Sequence, residues 1–156
     1  MKLQNRFFKK MVLMGVTLAQ GAMANSETIR AMPLEKWIPQ QEQIAFRNLL
    51  RNISPAGTAK GVVVASPSRQ DPDYWYHWIR DAALVMDVIV DAYAQTSLPD
   101  QKAYFLDLLW NYVEFSRLNQ MTPTPSGGPG EPKFNVDGTA FVGPWGRPQN
   151  DGPALR

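Results

Sequence analysis

Between Asp73 and Asp81 the chain reads Asp-Tyr-Trp-Tyr-His-Trp-Ile-Arg-Asp. Four aromatic rings in five positions run directly into an arginine and a carboxylate. Flat rings stack on the apolar C–H faces of sugars. Guanidinium and carboxylate groups take sugar hydroxyls in directed, charge-assisted hydrogen bonds. Arg80 and Asp81 are adjacent, so together they have the reach to hold two neighbouring hydroxyls of one ring. An aromatic core cluster with an ion pair at a helix start has the same composition, and both readings stand at this point. A second cluster runs from Gly130 to Asp137 and resumes at Gly143-Pro-Trp-Gly-Arg-Pro148. Trp145 there has few local partners to bury it: it forms the wall of a pocket or docks on its own core. Glu131, Asp137 and Asp151 keep a paired-carboxylate site open on spacing alone. His77, the single histidine of the chain, is expected to pack or be solvated beside its aromatic neighbours rather than serve as a ligand or base.

Helices are the elements expected to position these groups. Ile44, Ala45, Leu49, Leu50 and Ile53 form one apolar face and predict a helix from Pro39 to Asn52, with Pro39 at its first position. Gly61 to Ser68 carries a valine run that suits a short strand or a buried extended segment. A second helix is predicted from Trp78 to Gln95. It is apolar nearly all round, which predicts burial on most sides. A third is predicted from Pro99 to Asn119, with Ser97 as a possible cap. Periodicity then stops. The 33 residues from Gln120 to Gly152 include seven glycines and six prolines. A tract of that composition is ordinarily a linker, but Lys133, Phe134, Phe141, Trp145 and Arg147 are unusual in one, and loops this long in a compact domain are often functional. Asp151-Gly-Pro-Ala-Leu-Arg156 resembles a helix start.

Composition narrows the chemistry further. The 156 residues include no cysteine, which excludes a disulfide scaffold and a thiolate metal site. One histidine argues against a histidine-rich metal centre or a Ser-His-Asp triad; no metal or cofactor is expected. The formal charge is +2, but Lys2, Arg6, Lys9 and Lys10 precede any acid, and the rest of the chain holds 12 basic and 14 acidic residues. Nothing in that balance suggests nucleic acid. Residues 1–24 have a basic start, a short apolar run and the small-x-small sequence Ala22-Met23-Ala24, as in a secretory signal peptide. The run is shorter than the about 20 apolar residues a membrane-spanning helix needs. A secreted or periplasmic product beginning near Asn25 is expected, with no membrane attachment after cleavage.

Taken together, the motif blocks resemble the glucoamylases of the fungal type, glycoside hydrolase family 15. The matching text is Gly61-Val-Val-Val-Ala-Ser-Pro-Ser68, Asp71-Pro-Asp-Tyr-Trp-Tyr-His-Trp-Ile-Arg-Asp81, Gly130-Glu-Pro-Lys-Phe-Asn-Val-Asp137 and Gly146-Arg-Pro-Gln-Asn-Asp-Gly-Pro-Ala-Leu-Arg156. Several long motifs in register are specific where a single short one is not. The resemblance implies an all-α fold that is part of an (α/α)6 toroid: about three helices and the long glycine- and proline-rich loop, an incomplete share of twelve helices. It implies residues 25–156 as the N-terminal part of a catalytic domain. The activity implied is release of glucose, with inversion, from non-reducing ends of starch, maltooligosaccharides or related glucans. Tyr74, Trp78, Arg80, Asp81 and Trp145 match the family's substrate-binding positions, and Lys133 and Arg147 fall in the loop beside the pocket. His77, Trp75, Gly138 and Phe141 depart from the residues common there. The family's general acid and base are glutamates expected beyond residue 156, and Glu131 matches neither, so this chain is expected to be inactive alone. A non-catalytic sugar-binding module and a glucodextranase- or trehalase-like toroid hydrolase are the alternative readings.

Overall fold

The computed structural model describes residues 32–156, which places the expected leader at 1–24 outside the described residues. The chain divides into two units between residues 48 and 49. Helix α1 is Leu34–Arg51. It begins five residues before the predicted start at Pro39, because the Pro33 carbonyl accepts the N–H groups of Lys36 and Trp37 at 2.9 and 3.0 Å and closes the first turn. Pro39 therefore lies inside the helix. Its missing N–H frees the carbonyl four residues earlier, that of Glu35, which is exposed and open to water. No residue of α1 is buried.

The second unit is organised by an extended segment that enters its core. After α1, the Ser54 N–H donates to the Val62 carbonyl at 2.7 Å and the Val64 N–H to the Asn52 carbonyl at 2.9 Å. Val62, Val63 and Val64 are all buried, the extended alternative for this run. Val62 and Val64 pack with Phe115. Gly61, at φ +82°, makes that approach possible: a Cβ there would lie 2.0 Å from the Asn111 carbonyl oxygen on the third helix.

Helix α2, Ile79–Gln95, buries Ile79, Ala82, Ala83, Met86, Ile89 and Ala92, a stripe at helical spacing. Leu84, Val88 and Val90 stay exposed among the described residues, so the expected burial on most sides holds for one side only. Helix α3, Pro99–Met121, buries Phe105, Leu108, Tyr112, Phe115, Ser116 and Asn119 and packs against α2. Its N-cap is Leu98, not Ser97; Pro99 sits at the first position, and the Leu98 N–H is taken by Thr96 Oγ1 at 3.3 Å. The helix also runs two residues past its predicted end.

Two short strands, β1 (His77–Trp78) and β2 (Lys133–Phe134), interrupt the all-α reading. They pair antiparallel, His77 opposite Phe134 and Trp78 opposite Lys133. Helix α4, Asp151–Leu155, follows the loop and packs on α2. Among the described residues no helix is long and apolar enough to cross a membrane.

Gly61→Ala introduces both a backbone conformation that L-residues rarely adopt and a collision with backbone. It is expected to lower stability by about 2–4 kcal/mol, read as a lower urea midpoint at unchanged m-value.

Candidate functional site

The site starts from the alternation of side chains along β1. His77 points inward. Its Nδ1 accepts the Val63 N–H at 3.0 Å, and its ring meets the Phe115 ring edge-on at 4.8 Å. Burial, aided by the Arg156 guanidinium, pushes its pKa from 6.5 down to about 3. A histidine so buried and neutral packs the core and takes no part in proton transfer at the surface.

Trp78, the next residue, faces the other way. Opposite it in the ladder stands Lys133, only 4% exposed. The Lys133 ammonium lies over four rings: 3.9 Å from Phe141, 4.2 Å from Tyr76, 4.2 Å from Trp145 and 4.8 Å from Trp78. Burial holds its pKa below the ordinary lysine value; Asp73 opposes that shift and Arg147 adds to it. Trp78 and Trp145 meet at 5.0 Å and 77°, edge to face, and Tyr76 and Phe141 at 5.3 Å and 73°. Tyr76 and Phe141 were not among the expected site residues. The position of Tyr76 two residues before Trp78 is the signal that could have found it, since strand-like backbone brings such residues to one face. Phe141 stands out in the sequence only as unusual in a linker and as a departure from the family's pattern; its place against Tyr76 depends on how the loop folds.

That fold is set by an ion pair. Arg147 Nε donates to Glu131 Oε1 at 2.7 Å and Oε2 at 3.0 Å, with side-chain exposures of 13% and 1%. Nη2 donates to the Phe141 carbonyl at 2.7 Å and Nη1 to the Gly143 carbonyl at 2.9 Å. Ser126 Oγ donates to Glu131 Oε2 at 3.0 Å. Arg147, expected beside a pocket, thus turns its donors into the loop itself and orders the segment that carries Phe141 and Trp145. Asp137 accepts from the Thr139 hydroxyl at 2.7 Å and N–H at 2.9 Å and closes a turn.

Arg80 and Asp81 open α2. Asp81, in the first turn, complements the positive end of the helix. Arg80 Nη1 donates to Asp151 Oδ2 at 2.7 Å, both side chains about half exposed. The contact raises the Arg80 pKa and lowers that of Asp151. A shallow depression lies here, lined by Trp78, Arg80, Asp81, Gln149, Asp151 and Gly152 among others. Trp78 is therefore common to two groups, Trp145 and Lys133 at its ring and Arg80 and Asp81 along the depression. Tyr74, exposed on the stretch before β1, belongs to no ring pair among the described residues. Nor do the described residues group three or more His, Cys, Asp or Glu side chains that could hold a metal.

Aromatic rings, an exposed arginine and carboxylates thus meet on one mostly helical body. The chain matches the glycosyl hydrolases of family 15 over residues 39–156 and belongs to that family. It is 50% identical over 123 residues to Glucoamylase 1 of Rhizopus oryzae, covering 79% of this chain and 20% of that protein. With the probable glucoamylase of Schizosaccharomyces pombe it shares 40% over 156 residues, 94% of this chain and 34% of the relative. Among solved structures, the glucoamylase of Saccharomycopsis fibuligera superposes with a TM-score of 0.74 at 37% identity, over 80% of this chain and 27% of the other. That of Hormoconis resinae gives 0.73 at 41%, over 80% and 22%. The chain thus spans between a fifth and a third of the length of these curated relatives, and its fold is part of an (α/α)6 toroid.

Two outcomes follow. Arg147→Ala strands a buried carboxylate and is expected to cost about 3–5 kcal/mol, measured by urea denaturation; adding Glu131→Leu should recover a substantial part of the loss. For His77, the unfolded chain takes up a proton as pH falls through 6.5 while the folded chain refuses it until about 3. The stability this group contributes is complete above pH 6.5 and is lost progressively toward pH 3. Urea midpoints at pH 7 and pH 4 should differ less in His77→Asn, which keeps an acceptor for Val63, than in the wild type.

Proposed function

We propose that this chain carries the sugar-gripping part of a glucoamylase, an enzyme that removes glucose from the non-reducing ends of starch, maltooligosaccharides or related glucans with inversion. The observation that carries the reading is that Trp78, edge to face with the exposed Trp145, lines one depression with the exposed Arg80 and the half-buried Asp81. Ring faces cover the apolar side of a glucose unit, and the guanidinium and carboxylate take its hydroxyls. The names of the relatives, all glucoamylases, support the same substrate class.

Inverting hydrolysis needs one carboxylic acid to protonate the leaving oxygen and one carboxylate to activate water across the ring. In the long loop and α4 the carboxylates are engaged: Glu131 with Arg147, Asp137 with Thr139, Asp151 with Arg80. The reading therefore assigns grip, and no bond cleavage, to this stretch. Arg80 answers to two partners, since a sugar hydroxyl competes with Asp151 for its donors. The reading extends to export, with residues 1–24 as the leader; an N-terminus at Asn25 on the mature product would bear this out.

Calorimetry of the 156-residue chain with acarbose is expected to show binding. Asp81→Asn should weaken it by about tenfold, the scale of one charge-assisted hydrogen bond, and Trp78→Ala by at least as much. No heat with either acarbose or maltose would overturn the proposal. Glucose release from maltose by this chain would overturn the assignment of grip without cleavage.

A further inference from the structure

The caged ammonium of Lys133 has no place in the sugar contacts described above. A lysine this buried ordinarily sits against a carboxylate. Here no ion pair involves it among the described residues: Asp73 and Arg147 act on its charge from beyond ion-pair distance, and its direct neighbours are ring faces. The four rings reach it from two parts of the chain. Tyr76 and Trp78 belong to β1 and its approach, whereas Phe141 and Trp145 belong to the loop after β2. Within that loop the hydrogen bonds of Arg147 fix the backbone carbonyls of Phe141 and Gly143; its guanidinium also lies 5.7 Å from the Phe141 ring, but it makes no ring contact with Trp145 among the described residues. Trp145 is 45% exposed, so close packing does not hold its ring. The ammonium lies over both members of each perpendicular ring pair, Trp78–Trp145 and Tyr76–Phe141.

A cation attracts the electron-rich face of each ring and penalises any rotation that turns an edge toward it. One charge facing four rings therefore constrains all four angles together, and more strongly where water is excluded. We propose that Lys133 is a positioning residue: its ammonium holds Trp145 perpendicular to Trp78 and so makes two rings from distant segments one sugar-binding corner, selecting ligands that present an apolar ring face across that corner. The part that concerns ligand rests on the sugar-binding reading above; the part that concerns ring geometry does not.

Two tryptophans in this arrangement couple optically, and the exciton couplet in the circular dichroism of the free chain reports their mutual angle. Trp145→Phe, which breaks the pair, assigns the couplet. Lys133→Met keeps the apolar stem and removes the charge. It is expected to abolish or invert the couplet and to weaken acarbose binding roughly fivefold to tenfold, while Lys133→Arg restores most of both. In a Trp145→Ala background, Lys133→Met should cause no further loss of binding. Phe141→Leu, which removes the nearest wall without touching the charge, should reduce the couplet in the same direction, and it decides the matter should Lys133→Met fail to fold. A couplet unchanged in Lys133→Met, or in Phe141→Leu where only that variant folds, overturns the proposal. So does a binding loss that persists at full size without Trp145, which would make Lys133 a direct sugar contact. If the wild type binds no acarbose, the sugar reading fails by itself, and the couplet still decides whether Lys133 sets the ring angle.

Discussion

The buried pair of Glu131 and Arg147 is the interaction on which the site depends. A tract with so much glycine and proline has little propensity of its own, and ordering it costs conformational entropy at every residue. Arg147 offsets part of that cost by tying carbonyls of Phe141 and Gly143 to one carboxylate, whose other oxygen also takes the Ser126 hydroxyl. Desolvating two charges is expensive, and such a pair is retained for the geometry it imposes as much as for stability. What it imposes here is the return of residues 141–147 toward the strand that holds Trp78.

The second constraint is the register of a sheet only two residues long. Because side chains alternate, His77 and Trp78 must face opposite ways. The inward position goes to a neutral histidine whose Nδ1 satisfies a valine N–H; the outward one places an indole against Lys133. A slip of one residue would exchange the two, burying the tryptophan among Val63 and Phe115 and leaving the lysine without its ring. The buried valine segment, held against α3 through Gly61, keeps β1 from slipping by bridging Val64 to His77.

Energetically the site is divided between an interior that is dry and a rim that is wet. Glu131 and Lys133 are almost completely buried, so their contacts act in a low effective dielectric. Arg80 and Asp151 are half exposed, and a pair of that kind contributes little to stability. The rim is therefore free to exchange partners with a ligand, while the interior holds the rings that a ligand would meet. The apolar residues of α2 and α3 that remain exposed, Leu84, Val88 and Trp110 among them, lie away from the buried stripes of those helices.

Much of this could be read along the chain. The second and third helices follow from periodicity to within two residues at each end, because a continuous apolar stripe admits little else. The family follows from long motif blocks in register, and that resemblance is also what marks Trp78, Arg80, Asp81 and Trp145 as expected sugar contacts. Local reading failed where a distant partner decided. The first helix started early because the Pro33 carbonyl was available; Ser97 lost the cap to a leucine whose N–H another hydroxyl had taken. Arg147 could not be told from a sugar ligand until Glu131, sixteen residues away, was seen to claim it. The ring cage around Lys133 lies further beyond reach, since it joins residues 76 and 78 to 141 and 145 through a ladder pairing. Sequence by itself determined which side chains have the chemistry to hold a sugar, since that is a property of each residue type. Only the tertiary structure decided which of them keep their donors free, because a hydrogen bond or a charge can be committed to a neighbour that no spacing along the chain reveals.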